Sequence, residues 1–220
     1  MVQRKNPQEK RMIAVTKVDL RKQLKYLYNP SAKEVSVVDV PPIHFLMVDG
    51  KGDPNTSREY AEALEALYAV PYAIKFMING SQSGVGYAVM PLGVLWWTDD
   101  MRNFNVEDKD AWKWTAIIMQ PEEYVAEELF EEAKSEVEKK KGLPAVSRMQ
   151  FEPFREGTSV KIMHLGPFSE EGPTIERIHR SIEERGGNPN GKHHEIYLSD
   201  FRRTKLQRLR TIIRQPFVEG

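Results

Sequence analysis

The stretch HHEIYLSDF, residues 193–201, sets one carboxylate among side chains able to serve it. Read as a strand, it alternates faces, with His193, Glu195, Tyr197 and Ser199 on one side and His194, Ile196 and Leu198 on the other. Ile196 and Leu198 are the natural partners of a covering helix. Glu195 and Tyr197 are then expected on the opposite face, roughly 7 Å apart along the strand. A second stretch of similar shape, VMPLGVLWWTDD at 89–100, carries two tryptophans instead. Matching Thr98 with Ser199 puts Trp96 opposite Tyr197 and Val94 opposite Glu195, so one stretch offers an aromatic wall and the other a carboxylate. Flat aromatic ligands stack on such rings. A carboxylate shielded from water beside them is costly to ionise, so its pKa is expected to rise. That suits a general base near neutral pH or a counter-ion for a cationic ligand.

Other side chains can line the same groove. Trp112 and Trp114 share a strand face, so both go to the groove or both to the core; Trp97 is expected to face a helix together with Leu95. Tyr68 and Tyr72 lie one turn apart on a helical stretch, and their hydroxyls reach a groove rim unless they pack in the helix interface. The candidate ligand contacts are Trp96, Trp112, Trp114, Tyr68, Tyr87 and His193. For each tryptophan, plain core filling is the alternative. For Glu195 the alternative is a solvated strand position.

Much chemistry is excluded. The chain has no cysteine, hence no disulfide, thiolate nucleophile or thiolate metal site. Its five histidines (44, 164, 179, 193 and 194) show no metal-binding spacing, and the adjacent pair points to opposite faces. GKGDP is too short for a phosphate-binding loop, and no GxSxG or kinase signature occurs. No cofactor and no metal are called for. Lys and Arg number 32 and so do Asp and Glu, so no general attraction to nucleic acid or anionic membrane is implied. The basic patch FRRTKLQRLR is read as an exposed loop and strand. No signal peptide or membrane span is evident, and the expected location is the cytoplasm.

The elements that must position these residues follow from periodicity. The length of 220 residues and an apolar fraction of 40% allow a substantial core. Residues 1–34 form a charged extension with one short helix. VSVVDVPPIHFLMVDG reads as two strands hinged at the proline pair. Thr56 and Glu59 form a capping box, followed by a helix on Tyr60, Leu64, Leu67, Pro71, Ile74 and Ile78 that Pro71 should kink or split. Strands are expected at 85–97 and 112–119. Pro121 is expected to open a linking helix (121–145 with its exit), with Val125, Leu129, Ala133 and Val137 inward. Strands at 145–151 and 157–166, a helix on Ile175, Ile178 and Ile182, and strands at 193–199 and 207–215 complete the chain. FLMVDGKGDP matches KIMHLGPFSE, and WTAIIMQP matches LRTIIRQP, in the same order. The expected fold is α+β: two strand–helix–strand–strand lobes, 35–120 and 146–220, forming a pseudo-twofold sheet with a central ligand groove. Each lobe alone is too small to cover its own helix and sheet.

VDVPPIHFLMVDGKGDPN, LYAVPYAIKFMI, MPLGVLWW and HHEIYLSDFRR together resemble the GyrI-like (gyrase-inhibitor-like) small-molecule-binding proteins in their stand-alone form, over about residues 12–216. The resemblance implies a duplicated strand–helix–strand–strand (SHS2-type) domain. It matches Glu195 to the groove glutamate that meets cationic aromatic ligands in drug-sensing relatives. Some stand-alone members hydrolyse cyclopropane-bearing DNA-alkylating toxins, which implies glutamate-assisted water addition. Tyr72 or Tyr197 would then stabilise the oxygen that gains charge. The relatives carry an acid and a glycine after Pro-Leu where this chain has Gly93 and Val94. That departure favours the alternative of a non-catalytic binder that sequesters ligand or works with a separate regulator. A third reading, a module that binds a protein partner, gains nothing from the neutral charge.

Overall fold

The computed structural model describes residues 16–81, 85–99 and 108–220. The chain is mixed α/β, with one large antiparallel sheet and few helices. Its elements are β1 (Thr16–Val18), α1 (Leu20–Gln23), α2 (Lys25–Tyr28), β2 (Ser36–Val40), β3 (Ile43–Lys51), α3 (Arg58–Gly80), β4 (Val85–Tyr87), β5 (Leu92–Trp97), β6 (Lys113–Met119), α4 (Glu127–Lys141), β7 (Gln150–Phe154), β8 (Gly157–Leu165), α5 (Gly172–Glu183), β9 (Gly187–Pro189), β10 (His193–Tyr197) and β11 (Arg210–Glu219). None of the described helices is long and apolar enough to cross a membrane.

The main sheet runs β2-β8-β11-β10-β5-β6-β3-β7, with β9 on the end of β11 and a separate β1-β4 pair. The proline pair at 41–42 does more than bend the chain. It sends β2 to β8 while β3 pairs with β6 and β7. The strands before β3 and before β8 are thus exchanged between the two ends of the sheet. At the centre, β5 and β10 pair antiparallel, with Glu195 facing Val94 and His193 facing Trp96. On the outer sides of this pair, Ala116 faces Val94 and Thr211 faces Tyr197.

Several expected boundaries move. Ser57, not Thr56, caps α3, its Oγ accepting from the Tyr60 amide; Glu59 takes Arg148 Nη1 at 2.6 Å instead. Pro71 is buried inside α3 without splitting it. Pro121 begins only a turn. The helix α4 starts at Glu127, buries Phe130, Ala133 and Val137, and ends at Gly142, whose φ of 60° lies where a side chain is disfavoured. Residues 146–148 form a 3-10 turn before β7 rather than strand.

Cross-strand partners in an antiparallel sheet share a face. One face therefore carries a row Gly50–Trp114–Trp96–His193 and a row Val48–Ala116–Val94–Glu195–Ile213–Ile162. Helices α3 and α5 lie on this face. In α3, Tyr60 packs on Trp96 and Trp114 at 5.8 and 5.0 Å between ring centroids. In α5, Ile178 and Ile182 bury against Ile162 and Ile213. Trp96, not Trp97, therefore meets the helix. The expectation that Glu195 faces away from the helices is also corrected: it shares their face, at the seam between them. Ile196 points the other way, in one cluster with Ile212, Met163 and the N-terminal Leu27 and Tyr28.

That opposite face holds a buried ion cluster. Glu156, in the turn before β8, takes His194 Nδ1 at 2.9 Å and Arg214 Nη1 at 2.5 Å, all three side chains at most 3% exposed. Arg214 Nη2 also donates to the Leu27 carbonyl, tying the N-terminal segment to the sheet. Burial raises the Glu156 pKa, but the charges and hydrogen bonds of His194 and Arg214 outweigh it and hold the group at about 2. Burial pushes His194 itself down, so Arg214, charged at every ordinary pH, is the dependable partner.

Two outcomes follow for stability. Replacing Glu156 with Gln strands Arg214 in the interior and is expected to cost about 3–5 kcal/mol in denaturant unfolding. Because the folded pKa lies below the ordinary 4.5, the Glu156 contribution is complete above that pH and fades as pH falls towards about 2; the Gln variant loses that acid limb. At Gly50 an added Cβ would overlap the buried Trp114 ring. Gly50→Ala should lower unfolding free energy by about 1–3 kcal/mol; a wild-type value would show that the ring can move.

Candidate functional site

The site is built on β10. Its strand pitch puts His193, Glu195 and Tyr197 on the helix face, and pairing with β5 and β11 fixes what stands beside them. Tyr197 Oη donates to Glu195 Oε2 at 2.7 Å. His193 Nε2 lies 3.6 Å from Glu195 Oε1, an ion-pair distance rather than a hydrogen bond. The Trp96 indole N–H faces the same carboxylate without closing a bond of standard length. From α3, the Tyr60 hydroxyl joins that of Tyr197. From the start of α5 comes a second acid, Glu171, 4% exposed, whose carboxyl meets both Glu195 and Thr211.

Glu171 occupies the N-cap position of α5 yet makes no capping hydrogen bond. Its backbone carbonyl accepts from Thr174 and Ile175, which leaves the side chain to turn into the seam. Four buried atoms around Glu195 have no standard hydrogen bond among the described residues: Trp96 Nε1, His193 Nε2, Thr211 Oγ1 and Glu171 Oε1. Orphaned polar groups are rare in protein interiors, and here they converge on one carboxylate.

The electrostatics divide the two acids. For Glu195, burial raises the pKa, but the His193 ring 3.6 Å away, with the Tyr197 hydrogen bond and the facing Trp96 indole N–H, holds it below the ordinary carboxylate range. For Glu171, burial comes first, then repulsion by Glu195; Thr211 opposes them only weakly, and the group is pushed up to about 9. The expected rise thus falls on Glu171, not Glu195, because a nearby pair can keep only one charge and Glu195 has the better donors. Burial and then Glu195 push the Tyr60 and Tyr197 hydroxyls up, so both remain neutral donors.

The sequence candidates separate into groups. Glu195, Tyr197, His193 and Trp96 come together. Trp112 stands behind Trp96, 5.5 Å between ring centroids. Trp114 is fully buried under Tyr60. Tyr68 lies on the rim, its ring under Arg202 at 5.3 Å. Tyr72 is 44% exposed and packs on Phe76. It stands about 18 Å along α3 from Tyr60, since each helical residue advances 1.5 Å, so it does not reach Glu195. Tyr87 is buried but stacks on Tyr124 and donates to Gln120 at the far end of β6, also away from the site. Sequence reasoning missed Glu171, Tyr60 and Thr211. In the sequence Tyr60 reads as one of the helix stripe, and Glu171 as an ordinary wet residue in SEEGP. Phe168, packed on Tyr197 at 5.3 Å and on the exposed Phe201, completes the rim.

Two cavities, of about 250 and 210 Å³, open elsewhere: one beside Met77, Tyr124 and Leu129, the other between Leu24, Tyr26 and His44. Neither includes Glu195, whose side chain is 15% exposed. The converging orphaned groups, rather than hollow volume, mark the site. Among the described residues no cluster of three His, Asp or Glu side chains could hold a metal ion.

The GyrI-like small molecule binding domain matches residues 33–217. The chain belongs to this family. An uncharacterized conserved protein from Listeria innocua is 40% identical, covering 91% of this chain and 100% of its own, with a TM-score of 0.84. A hydrolase from Listeria innocua is 39% identical over 92% of this chain and 100% of its own, with a TM-score of 0.82. The EcmrR C-terminal domain, 10% identical over 85% of this chain and 98% of its own, shares the fold at a TM-score of 0.53. No curated protein is significantly similar to the chain. A GyrI-like domain binds small molecules, and the seam between α3 and α5 is where this one presents unsatisfied polar groups beside aromatic rings.

Tyr197→Phe removes the 2.7 Å hydrogen bond to Glu195. The Glu195 carboxyl should then titrate at higher pH, read from side-chain carbon resonances of glutamate-labelled protein. An unchanged titration would remove Tyr197 from the group that holds the charge.

Proposed function

We propose that the chain binds a flat aromatic or hydrophobic molecule over Glu195 and hydrolyses a strained, cyclopropane-bearing electrophile there, disarming an alkylating compound. The observation that carries this reading is the largely buried Glu195 carboxyl, which takes the Tyr197 hydroxyl at 2.7 Å among unsatisfied polar atoms of Trp96, His193 and the buried Glu171. Glu195 takes a proton from water as its oxygen attacks the ring carbon. The Tyr60 hydroxyl, in the place expected of Tyr72, donates to the oxygen that gains charge, while Tyr197 keeps its hydrogen bond to Glu195. Base catalysis of this kind contributes about 10²–10⁴-fold, and positioning adds to it. The 39% identity to a Listeria hydrolase supports catalysis. Ligand entry requires the rim of Tyr68, Phe168, Phe201 and Arg202 to part.

The scaffold in this reading is a duplicated strand–helix–strand–strand domain. Its support is the register: Phe45 faces Met119 and Lys161 faces Arg214, the pairs that the sequence match equates. Position 93, where relatives carry an acid, points away from Glu195; a Cβ there would stand 2.6 Å from His194 Nε2. Its absence therefore removes nothing from the site. Non-catalytic binding and sequestration is the second reading, favoured by Val94. That side chain is fully buried directly opposite Glu195 and takes up room a water could use.

The experiment is turnover of the parent spirocyclopropyl cyclohexadienone followed by mass spectrometry. A product heavier by one water is expected, formed at least about 100-fold more slowly by Glu195→Gln. Stoichiometric protection with quenched tryptophan emission and no hydrated product would overturn hydrolysis in favour of sequestration.

A further inference from the structure

We propose that Glu171 is the acid of the site: it gives a proton to the substrate oxygen as the ring opens and recovers one from the neighbouring Glu195. The inference rests on the hydrolytic reading above and deepens it. Four structural facts carry it. Glu171 is 4% exposed, so its proton does not exchange freely with bulk water. Its carboxyl lies in the same seam as Glu195, near enough for the two charges to repel, which favours keeping one proton between them. Its Oε1 has no hydrogen-bond partner among the described residues, which leaves an oxygen for a third group. Its position at the start of α5 offers the side chain a cap, and no cap bond is made.

The step balances. Water loses a proton to Glu195, and its oxygen forms a bond to a cyclopropane carbon. The ring C–C bond breaks, and its electron pair moves through the conjugated system to the carbonyl oxygen. That oxygen takes the Glu171 proton. Glu195 is now protonated and Glu171 ionised, and a single transfer between the two restores the starting state with one water added. Neither a buffer nor a third residue is needed for the reset. The acid serves only a substrate whose ring opening delivers electrons to a hydrogen-bond-accepting oxygen. A cyclopropane without such an oxygen makes no use of the acid.

The titratable groups around Glu171 come from every packed element. From β10 there are Glu195, Tyr197 and His193; from α3, Tyr60. From β8 comes His164, cross-strand from Thr211, with ring bonds to Thr174 and the Pro167 carbonyl; from α5 comes His179, which feels His193. The neutral form of Glu171 is favoured by burial first and by Glu195 second, which places its titration at about 9. Donation requires the protonated form, so activity falls as pH rises through that value.

Two measurements test the proposal with different dependence on the hydrolytic reading. In the free protein, labelled glutamate carbons are followed through pH and assigned with Glu171→Gln and Glu195→Gln. One carboxyl should titrate in the alkaline range and disappear from it in Glu171→Gln; titration of both in the ordinary acidic range overturns the proposal. In turnover of the spirocyclopropyl cyclohexadienone, Glu171→Gln, isosteric with the protonated acid, should lower kcat at least about 10-fold with KM little changed, and should lose the alkaline fall. Unchanged kcat with the alkaline limb retained overturns the donor role. A shared proton seen in the titration, with no turnover by the wild type, supports the carboxyl pair and sinks the hydrolytic reading.

Discussion

Two carboxyl groups that touch inside a protein cannot both stay ionised, and which one keeps the charge is set by the donors around each. At the seam between β5 and β10, His193, Tyr197 and Trp96 favour the charge on Glu195, while Glu171 has little but Thr211 and is left neutral. In the proposed reaction this asymmetry makes one of two identical functional groups the base and the other the acid. The single retained charge is also tolerable in a mostly apolar setting where two would not be. The phenols of Tyr60 and Tyr197 stay protonated for the same reason, since ionising either would place a second negative charge beside Glu195.

The rest of the molecule can be understood as what holds that seam in place. Antiparallel pairing fixes Glu195 directly across from Val94, and a slip of one residue would carry it to the opposite face. On that opposite face, the next residue of the same strand, His194, is locked to Glu156 and Arg214. The buried ion cluster therefore clamps β10 from behind while His193, Glu195 and Tyr197 face forward. The exchange of β2 and β7 between the two ends of the sheet ties both halves together. Neither half can shift without disturbing the pairing at the centre. Over the front, α3 supplies Tyr60 and α5 supplies Glu171, so the site is completed only when both helices dock on the same side.

Periodicity in the chain predicted the main helices and most strands, since burial of one face imposes a period of two or 3.6 on the apolar residues whatever surrounds them. It also picked out Glu195 and Tyr197 as a pair, because alternation alone puts them on a common face. The errors have physical causes. Pro71 continues α3 because its neighbours bury a full stripe on the sheet, which outweighs one lost hydrogen bond. Glu195 was assigned the wrong side of the sheet because Ile196 and Leu198 signal only that their face is covered, not by what. Here the cluster around Ile196 includes the N-terminal Leu27 and Tyr28 instead of α5.

What the sequence by itself determined is the family, the kinds of element and the presence of one strand-borne carboxylate beside aromatic residues, all of them local or pattern properties. Only the tertiary structure decided which helix residues reach that carboxylate: Tyr60 rather than Tyr72, and Glu171 from a stretch that reads as ordinary solvated charge. The reason is that a side chain's protonation and contacts depend on groups brought together from α3, β10, β11 and the start of α5. Those positions are distant along the chain, and no spacing within any one segment encodes their meeting.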